Sequence, residues 1–388
     1  MSVYLDHAAT TPARPEAVAA YAAALATVGN PSSVHAAGRA ASRVLEDARE
    51  RVARSLGCDP VEVVLTSGGT ESVNLAVKGL WWARQAERAR PRIVVPRGEH
   101  HATVDAVEWL ERTEGAVVDW VPLDGDGRVR LDALAEALRD PDDVALVTFL
   151  WANNEVGTVQ PVAEVVALAD RAGVPVHADA VAAYGQVPVD FVASGLTALS
   201  VSAHKVGGTV GTGALVLSRR TTVEALVHGG GQQRKVRSGT QDVAGAVAFA
   251  TAVELPHEPG SRLRDRIVAG VRELVPTAVL RGDPVDRLPG NAHFTFPGCE
   301  GDSLLFLLDA AGVCVSTGSA CQAGVTEPSH VLLAMGLTED EARGALRITV
   351  GHDTTDADVD AFLAALPEAV ERAGRAGLAA RTPTLGRR

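Results

Sequence analysis

The sequence predicts an α/β protein with a mostly parallel central sheet and a second, smaller α+β domain. Its 388 residues exceed what a single hydrophobic core usually holds. From about residue 44 to 220, apolar strand-like runs alternate with helical segments, as in a parallel sheet covered on both faces. At residue 255 the Pro-containing stretch LPHEPGS interrupts this alternation, and the order of elements changes after it. These observations predict two domains.

In the first region, each predicted strand is followed by a polar loop. VEVVLT (61–66) precedes SGGTE and a helix with an apolar face made by Val73, Val77, Leu80 and Trp81. The other strands and loops are RIVVP (92–96) with GEHH, VVDWVPL with DGDG, VALVTFL (144–150) with ANNEVGTVQP, and those within VPVHADA and ALSVSAHK. Because ligands collect at the carboxyl ends of strands in an open α/β sheet, we expect most of these loops to form one site.

The second region predicts the smaller α+β domain. An amphipathic helix runs from Ser261 to about Leu274, and NAHFTF, DSLLFLLDAAG and LRITV predict a strand, a helix and a strand. A long helix begins at Thr355. The predicted divisions are a large domain at 13–252, a small domain formed by 1–12 and 253–380, and a frayed tail at 381–388.

Composition and charge exclude several classes of protein. The formal net charge is −12 and the pI about 5.4, so no broad basic face for direct nucleic-acid binding is expected. No apolar run is long enough to cross a membrane, and MSVYLDHAATTP lacks the basic start of a secretion signal. The four cysteines form no CxxC pair, which argues against structural zinc and for reduced thiols. We therefore expect a cytoplasmic protein.

Lys205 follows a predicted strand in SVSAHKVGG. A lysine at a crowded strand end loses solvation and can become a nucleophilic amine that forms a Schiff base with a carbonyl. Ser202 and His204 could donate to a phosphate, and the glycines that follow let the backbone approach closely. The simpler interpretation is a surface lysine at a strand end, and these neighbours weigh against it.

Two further loops carry groups that could bind an anion and a ring nitrogen. In SGGTE, the backbone amides of Gly69 and Thr70 at a helix N-terminus predict an anion site. Two glycines before a helix are also common in turns that bind nothing. In HADAV, Asp179 is predicted just past a strand that ends at His177. There it would either pair with a protonated ring nitrogen or cap the N-terminus of a helix.

Polar side chains in three other motifs complete the predicted site. His100 or His101 of GEHH could lie flat on a conjugated ring and move protons. Asn153 or Asn154 of ANNE could bond a phenolic oxygen or a carboxylate. Arg347 of LRITVGH could bind a substrate carboxylate, its alternative being a structural ion pair. The scattered histidines of GEHH and HADAV lack metal-ligand spacing, so no metal site is predicted.

Cys321 lies in STGSACQAG (316–324), where its neighbours are all small or polar. A structural cysteine usually lies among large apolar side chains. No large apolar residue near Cys321 in the sequence would bury its thiol, so a purely structural role does not explain this stretch. The remaining cysteines are most simply core residues: Cys58, Cys299 and Cys314.

Together these motifs resemble the cysteine desulfurases of the NifS/IscS type, which are class-V aminotransferase-like enzymes of pyridoxal phosphate fold type I. The resemblance covers nearly the whole chain. The matching motifs are YLDHAATTP (4–12), GNPSSVHAAGR (29–39), TSGGTESVNLAVKG (66–79), EHH (99–101), ANNEVGTVQP (152–161), HADAV (177–181), SAHK (202–205), HGGGQQRKVRSGT (228–240), STGSAC (316–321), EPSHVLLAMG (327–336) and LRITVG (346–351). The resemblance implies a seven-stranded, mostly parallel sheet in the large domain and pyridoxal 5'-phosphate as cofactor.

The resemblance also implies a role for each residue that carries chemistry. Lys205 would hold the cofactor covalently and act as the base, Asp179 would pair with the pyridinium nitrogen, and His100 would stack on the ring. Cys321 would be the nucleophile, carried on a long, mobile loop at about 316–328 that keeps its thiol exposed and reactive. The phosphate would be bound by Gly69, Thr70, Ser202 and His204 of one subunit and by Thr240 of the other, which implies a homodimer with shared sites. The substrate carboxylate would be bound by Asn154 and Arg347, with Asn154 also contacting the cofactor.

The implied reaction converts L-cysteine to L-alanine and places the sulfur on Cys321 as a persulfide. An acceptor protein would then take the sulfur for iron–sulfur cluster assembly or for tRNA thiolation, and a role of Cys321 in a transient cluster stays open. A selenocysteine lyase or a cysteine sulfinate desulfinase is the alternative on the same fold, and both need Cys321 less. A Cys–His hydrolase using His330 or His352 would leave Lys205 and Asp179 without a role.

Three positions depart from the family pattern. Ala182 stands where a Gln usually bonds the ring hydroxyl of the cofactor, and Asn154, Gln186 or water could replace that bond. Thr209 stands where a Pro usually follows Gly, which affects a turn, and Gln322 stands where Thr or Ser usually follows the nucleophile.

Overall fold

The structure is a computed structural model that describes residues 2–258, 260–318 and 328–380. The part of the predicted cysteine loop that includes Cys321 and Gln322, and the predicted tail at 381–388, lie outside these residues.

The strands and helices follow the alternation read from the sequence. The strands are β1 Val3–Tyr4, β2 Val63–Thr66, β3 Arg92–Pro96, β4 Val117–Val121, β5 Val144–Leu150, β6 Val176–Asp179, β7 Ala198–Ser202, β8 Gly213–Leu217, β9 Val279–Arg281, β10 Asn291–Thr295, β11 Val313–Cys314 and β12 Ala345–Thr349. The helices are α1 Pro15–Leu25, α2 Ala36–Ser55, α3 Gly69–Glu87, α4 His101–Glu114, α5 Leu131–Ala137, α6 Val162–Arg171, α7 Phe191–Ser194, α8 Val243–Glu254, α9 Ser261–Leu274, α10 Gly301–Ala310, α11 His330–Ala334, α12 Glu339–Arg343 and α13 Asp356–Ala380.

The central sheet has seven strands in the order β2-β8-β7-β6-β5-β3-β4. Strand β8 runs antiparallel to both of its neighbours, while the remaining pairs are parallel. The mostly parallel seven-stranded sheet is therefore confirmed. Strand β5, VALVTFL, is buried along its whole length, as a strand covered on both faces must be. This topology brings the carboxyl ends of β3, β5, β6 and β7 to one edge.

A second, three-stranded antiparallel sheet has the order β12-β10-β9 and packs on α9, α10 and α13. Strand β1 pairs in parallel with β11, and Leu5 lies in the same apolar core as α9 and α13. Thr349 at the end of β12 forms a bridge to Asp6. The first residues of the chain are thus held by the C-terminal third. None of the helices within the described ranges is long and apolar enough to span a bilayer.

Candidate active site

A cavity of about 390 Å³ opens at the carboxyl ends of β3, β5, β6 and β7. The three-stranded sheet closes one side of it through Arg347 of β12. The cavity brings together most of the site residues expected from the sequence, namely Gly69, Thr70, His100, Asn154, Asp179, His204, Lys205 and Arg347. The loops that follow separate strands therefore form one site, as expected.

Lys205 ends a short turn directly after β7, and its side chain points into the cavity. The Nζ atom donates to the backbone carbonyls of Ala8 and Ala9, the latter at 2.9 Å. Burial, with a smaller contribution from the nearby Arg347 cation, lowers the pKa of Lys205 to about 8. A substantial fraction of the amine is therefore neutral near physiological pH, which is what a nucleophile or a base requires. The alternative of an exposed surface lysine is wrong.

Asp179 is the last residue of β6, paired with Leu150 and Ser200, and does not lie past the end of the strand as predicted. The alternative that it caps a helix is also wrong, because its Oδ1 accepts from Val181 N at 2.9 Å in a tight turn and no helix begins there. The side chain is 3% exposed, and burial raises its pKa to about 6. A buried carboxylate with one short-range hydrogen bond is suited to pair with a cationic group in the cavity.

The SGGTE turn forms a cradle for an anion at the start of α3. Gly68 has φ +146, and a Cβ on Gly69 would lie 2.6 Å from Val181, so the backbone needs glycine at both positions. The amides of Gly69 and Thr70 have no acceptor within the helix, as at any helix N-terminus. Ser202 Oγ is buried close to this turn and has no hydrogen-bond partner within the described residues. These donors fit a phosphate group.

His100 is held with one defined tautomer. Its Nδ1 accepts from Ala102 N at 3.1 Å, so the residue caps α4 and carries its proton on Nε2. Burial and the neighbouring Lys205 cation lower the pKa of His100 to about 4, which keeps the ring neutral. A neutral imidazole on the cavity wall can stack on an aromatic ring without adding positive charge.

Arg347 lies on β12 and is almost fully buried. One Nη atom donates to Asp6 Oδ1 at 2.8 Å and the other to Asn154 O at 2.9 Å. Its Nε is buried and lacks a partner among the residues described. The predicted structural ion pair therefore exists, and an unused donor remains on the same guanidinium for a ligand carboxylate. Asn154 lines the cavity beside it.

The two remaining residues predicted to contact the phosphate are His204 and Thr240, and of these only His204 borders the cavity. His204 lines it and bonds Thr10 Oγ1 through Nδ1 at 3.1 Å, and burial lowers its pKa to about 4. Thr240 is exposed and is not among the residues that line this cavity. Its segment is tied to the SGGTE turn by Arg237, which pairs with Glu71 at 2.9 Å.

Ala182 borders a second, small cavity of about 30 Å³ behind Lys205. Asn154 and Gln186 line the same space. This volume holds about one water molecule with polar partners. Asn154 and Gln186, the two residues considered as substitutes for the Gln that usually stands at position 182, both border this space beside Lys205.

Sequence reasoning missed several residues that support the site. Asp6 fixes Arg347, and the carbonyls of Ala8 and Ala9 hold Lys205, although all three lie in the matched motif YLDHAATTP. Glu99 of EHH is 2% exposed, its Oε1 accepts from Leu150 N, and burial raises its pKa well above the usual range. His330 Nε2 donates to Glu99 O at 2.8 Å.

The structure also shows the surroundings of His177 and of three cysteines that were predicted to lie in the core. His177 lies between Thr148 Oγ1 and Ser200 Oγ, at 2.8 and 2.9 Å, and burial lowers its pKa to about 3, so it serves the sheet rather than a metal. Of the cysteines predicted to lie in the core, Cys299 does, whereas Cys58 and Cys314 are only half-buried. Cys58 follows α2 and packs against the core below the large sheet, and Cys314 ends β11.

The sequence and the fold are both similar to those of known proteins over most of the chain. Residues 3–362 match the family model described as aminotransferase class-V. An IscS-like cysteine desulfurase from Mycobacterium tuberculosis is 57% identical over 387 residues, covering 97% of this chain and 98% of the relative. A solved NifS-like protein has a TM-score of 0.87 at 33% identity, covering 96% of this chain and 100% of that one. A structure titled SspA in complex with cysteine has a TM-score of 0.80 at 31% identity, covering 90% and 99%.

Proposed function

The chain belongs to the class-V aminotransferase family and is a cysteine desulfurase of the NifS/IscS type, and on this premise we propose that its cavity binds pyridoxal 5'-phosphate and L-cysteine and that Cys321 takes the sulfur. The enzymes of this family use pyridoxal phosphate. The observation that carries the proposal is the convergence of Lys205, Asp179 and Arg347 on one cavity. The amine of Lys205 can attack an aldehyde, the carboxylate of Asp179 can pair with a protonated ring nitrogen, and the guanidinium of Arg347 can pair with a substrate carboxylate.

The residues present fit this cofactor. Ser202 Oγ is a buried donor that lacks a partner within the described part of the chain, and the glycine cradle at 68–69 leaves room for a phosphate beside it. Asp179 would hold a proton on the ring nitrogen, and Lys205 would hold the aldehyde carbon. When bound, the cofactor serves as an electron sink for the carbon next to the substrate amine.

The chain's own side chains would bind and orient L-cysteine and move its protons. Arg347 and Asn154 would hold the carboxylate, while the lowered pKa of Lys205 lets its amine take the Cα proton and return a proton to the product. The neutral His100 would support the ring from one face. Asp179 is buried and Lys205 is half-buried, which limits the access of water to these two groups.

The sulfur transfer balances without an added oxidant. The thiolate of Cys321 attacks the substrate sulfur, the Cβ–S bond breaks, and an S–S bond forms on the protein. L-cysteine and one protein thiol thus give L-alanine and one protein persulfide.

The persulfide would then pass to an acceptor protein. We infer a protein of iron–sulfur cluster assembly, because relatives bear the name IscS, with a tRNA thiolation enzyme as the second choice. We further propose a cytoplasmic homodimer in which the exposed Thr240 reaches the partner's phosphate site. A mixed dimer of Lys205→Ala and Thr240→Ala subunits would then regain one intact site, whereas neither homodimer would.

The first experiment measures the mass of the intact protein and of its peptides after incubation with L-cysteine without reductant. Wild type is expected to gain one sulfur on the Cys321 peptide and to release alanine, whereas Cys321→Ala does neither. If Cys321→Ala releases alanine from cysteine sulfinate or selenocysteine but not from cysteine, the variant has kept the cofactor chemistry and lost only the transfer of sulfur. Failure of wild type to form alanine from cysteine, while the cofactor band is present, contradicts the proposal and favours a different substrate.

A further inference from the structure

The loop that follows β5, residues 154–157 (the Asn154 loop), is bonded to the three-stranded sheet and to the segment that leads into it. Its first carbonyl, Asn154 O, accepts from Arg347 of β12 at 2.9 Å. The next three carbonyls accept as follows: Glu155 O from Asn291 Nδ2 and His293 Nδ1, both at 3.1 Å, Val156 O from Arg287 Nη2 at 3.0 Å, and Gly157 O from Leu288 N at 2.8 Å. The two sheets are therefore interlocked at this loop.

Arg287 lies where the Asn154 loop meets β9 and β10, and the proposed function gives it no task. The residue is 6% exposed. We propose that Arg287 is a positioning residue: its guanidinium fixes the Asn154 loop against the sheet that carries Arg347, and so sets the spacing of the two groups that bind the substrate carboxylate. The inference rests on the roles in substrate binding that are proposed for Asn154 and Arg347.

The side chain of Arg287 forms four hydrogen bonds within the described residues, and each goes to a backbone carbonyl. Its Nη2 donates to Val156 O at 3.0 Å and to Arg281 O at 3.2 Å. Its Nη1 donates to Asp283 O and its Nε to Asn291 O, both at 3.2 Å. Arg281 lies on β9 and Asn291 on β10. One planar group therefore connects two strands of the small sheet with a loop of the large one.

These contacts fix positions rather than neutralise a charge. Burial lowers the pKa of Arg287 to about 10, so the guanidinium stays charged near neutral pH. Carbonyl oxygens carry only partial charges, but the N–H groups of a guanidinium point in fixed directions within one plane. The carbonyls that Arg287 contacts are consequently held at fixed distances from one another.

The backbone of Arg287 is itself held against the chain that leaves the Asn154 loop. Thr158 and Arg287 form an antiparallel bridge, and Val159 N donates to Asp286 O at 2.9 Å. The guanidinium therefore starts from a fixed point on its own chain. Groups that hold a binding residue in place are usually supported in this way by neighbouring hydrogen bonds.

Loosening Arg287 should act on the substrate carboxylate before it acts on the cofactor. Lys205 and the SGGTE turn are placed by other elements, β7 and the start of α3. A displacement of about 1 Å in a site can cost about 10²-fold. The bonds to Glu155 O and Gly157 O remain and limit the displacement, so we expect a smaller loss, in the binding of substrate.

The test uses three variants. Arg287→Lys keeps a positive charge, but one ammonium cannot serve four carbonyls, and Asn291→Ala removes a second donor to the Asn154 loop. Arg92→Lys is the matched control. The Arg92 guanidinium also donates to backbone carbonyls, those of Ala137 and Asp140, but it lies at the start of β3, at the edge of the sheet opposite the cavity.

Four quantities are measured. Alanine release gives kcat and KM for L-cysteine. Titration of the cofactor absorption band of the loaded enzyme gives the Kd of L-alanine, which has the same carboxylate and no sulfur. The rate of pyridoxal phosphate capture by each apoprotein reports on the cofactor site, and thermal melting reports on the fold.

Arg287→Lys is expected to raise KM for L-cysteine and Kd for L-alanine by about 10-fold, and Asn291→Ala by about three- to tenfold. Both should leave kcat and cofactor capture within about threefold of wild type, because the reacting groups are untouched. The double variant should lose less than the product of the two single losses, since both changes free one loop.

A lower melting temperature with unchanged KM and Kd would make Arg287 a residue of the fold alone and would overturn the proposal. An equal loss in cofactor capture, or a matching rise of KM in Arg92→Lys, would do the same. If Arg287→Lys does not fold, Asn291→Ala tests the same loop through Glu155 O. If wild type forms no alanine from L-cysteine, the proposed function fails instead, and the L-alanine titration still decides the role of Arg287.

Discussion

Two cations of one cavity, the half-buried Lys205 and the buried Arg347, are held in opposite ways by the two parts of the molecule. Lys205, on the large sheet, contacts two backbone carbonyls and forms no ion pair with any residue that the structure describes. Arg347, on the three-stranded sheet, forms an ion pair with Asp6 at 2.8 Å. Burial lowers the pKa of Lys205 to about 8.

This difference separates a proton-transfer group from a permanent charge. Burial without a carboxylate partner favours the neutral form of an amine. A guanidinium, in contrast, stays charged at any ordinary pH and is stabilised by its carboxylate partner. The large sheet therefore carries the group that titrates, and the small one carries the fixed charge that we propose orients the substrate. The predictions below test that division, from the largest expected effect to the smallest.

Lys205→Ala removes the titrating cation. We expect alanine release from L-cysteine to fall by about 10³-fold or more, because the acid–base group and the covalent attachment of the cofactor are lost together. Release of alanine and mass after reductive trapping of the cofactor are the measurements. Lys78→Ala is the control, since this ammonium lies 4.4 Å over the Trp109 ring and does not line the cavity. Cofactor trapped on another lysine, or activity retained by Lys205→Ala, would contradict the assignment.

Arg347→Lys keeps the fixed charge but removes the planar fork of donors. We expect kcat/KM for L-cysteine to fall by about 10²-fold, mostly through KM, because one ammonium cannot serve Asp6, Asn154 O and a substrate carboxylate at once. Steady-state kinetics measure this, and the cofactor spectrum should be unchanged. Arg343→Ala, a variant of an exposed arginine paired with Glu339, is the control. A fall in kcat alone would assign Arg347 to the chemical step.

The lowered pKa of Lys205 predicts the pH dependence of cofactor capture by the apoprotein. Only the neutral amine attacks an aldehyde, so the rate should rise about fivefold from pH 7 to 8 and level off by about pH 9. Asp179, with its pKa near 6, stays ionised over this range. Stopped-flow absorption after mixing with pyridoxal phosphate gives the rate. A rise of about tenfold per pH unit continuing to pH 10 would indicate an ordinary, unshifted lysine instead.

Ala182→Gln is expected to have the smallest effect. The amide would occupy the void of about 30 Å³ beside Lys205 and displace the water that fits there. We expect kcat to change by less than about fivefold, with a small shift of the cofactor absorption band, because one hydrogen bond is exchanged for another. Gln186→Ala tests from the other side whether that residue is the substitute. A change in kcat of more than about tenfold in Ala182→Gln would mean that Ala182 tunes the reaction itself.

Local patterns predicted the secondary structure and the loops of the site well. Predicted helix α9 at Ser261 to about Leu274 is found at those residues, and the polar loops after β3, β5, β6 and β7 do meet. The placement of Asp179 was wrong because its strand runs two residues longer than the sequence pattern suggested. Pairing with Leu150 and Ser200 extends the strand, and such pairing depends on neighbours that are distant in the chain.

The sequence by itself determined the alternation of elements, the motifs of the site and the residue types that carry its chemistry, since periodicity, glycine geometry and side-chain donors are local properties. Only the tertiary structure decided the partners of those residues. Asp6 meets Arg347 from 341 positions away, and Glu155 meets Ser329 from 174 positions away. Burial, which lowers the pKa of Lys205 and raises that of Asp179, likewise depends on what packs around a side chain. Such contacts come from the packing of two sheets, which no local stretch of sequence encodes.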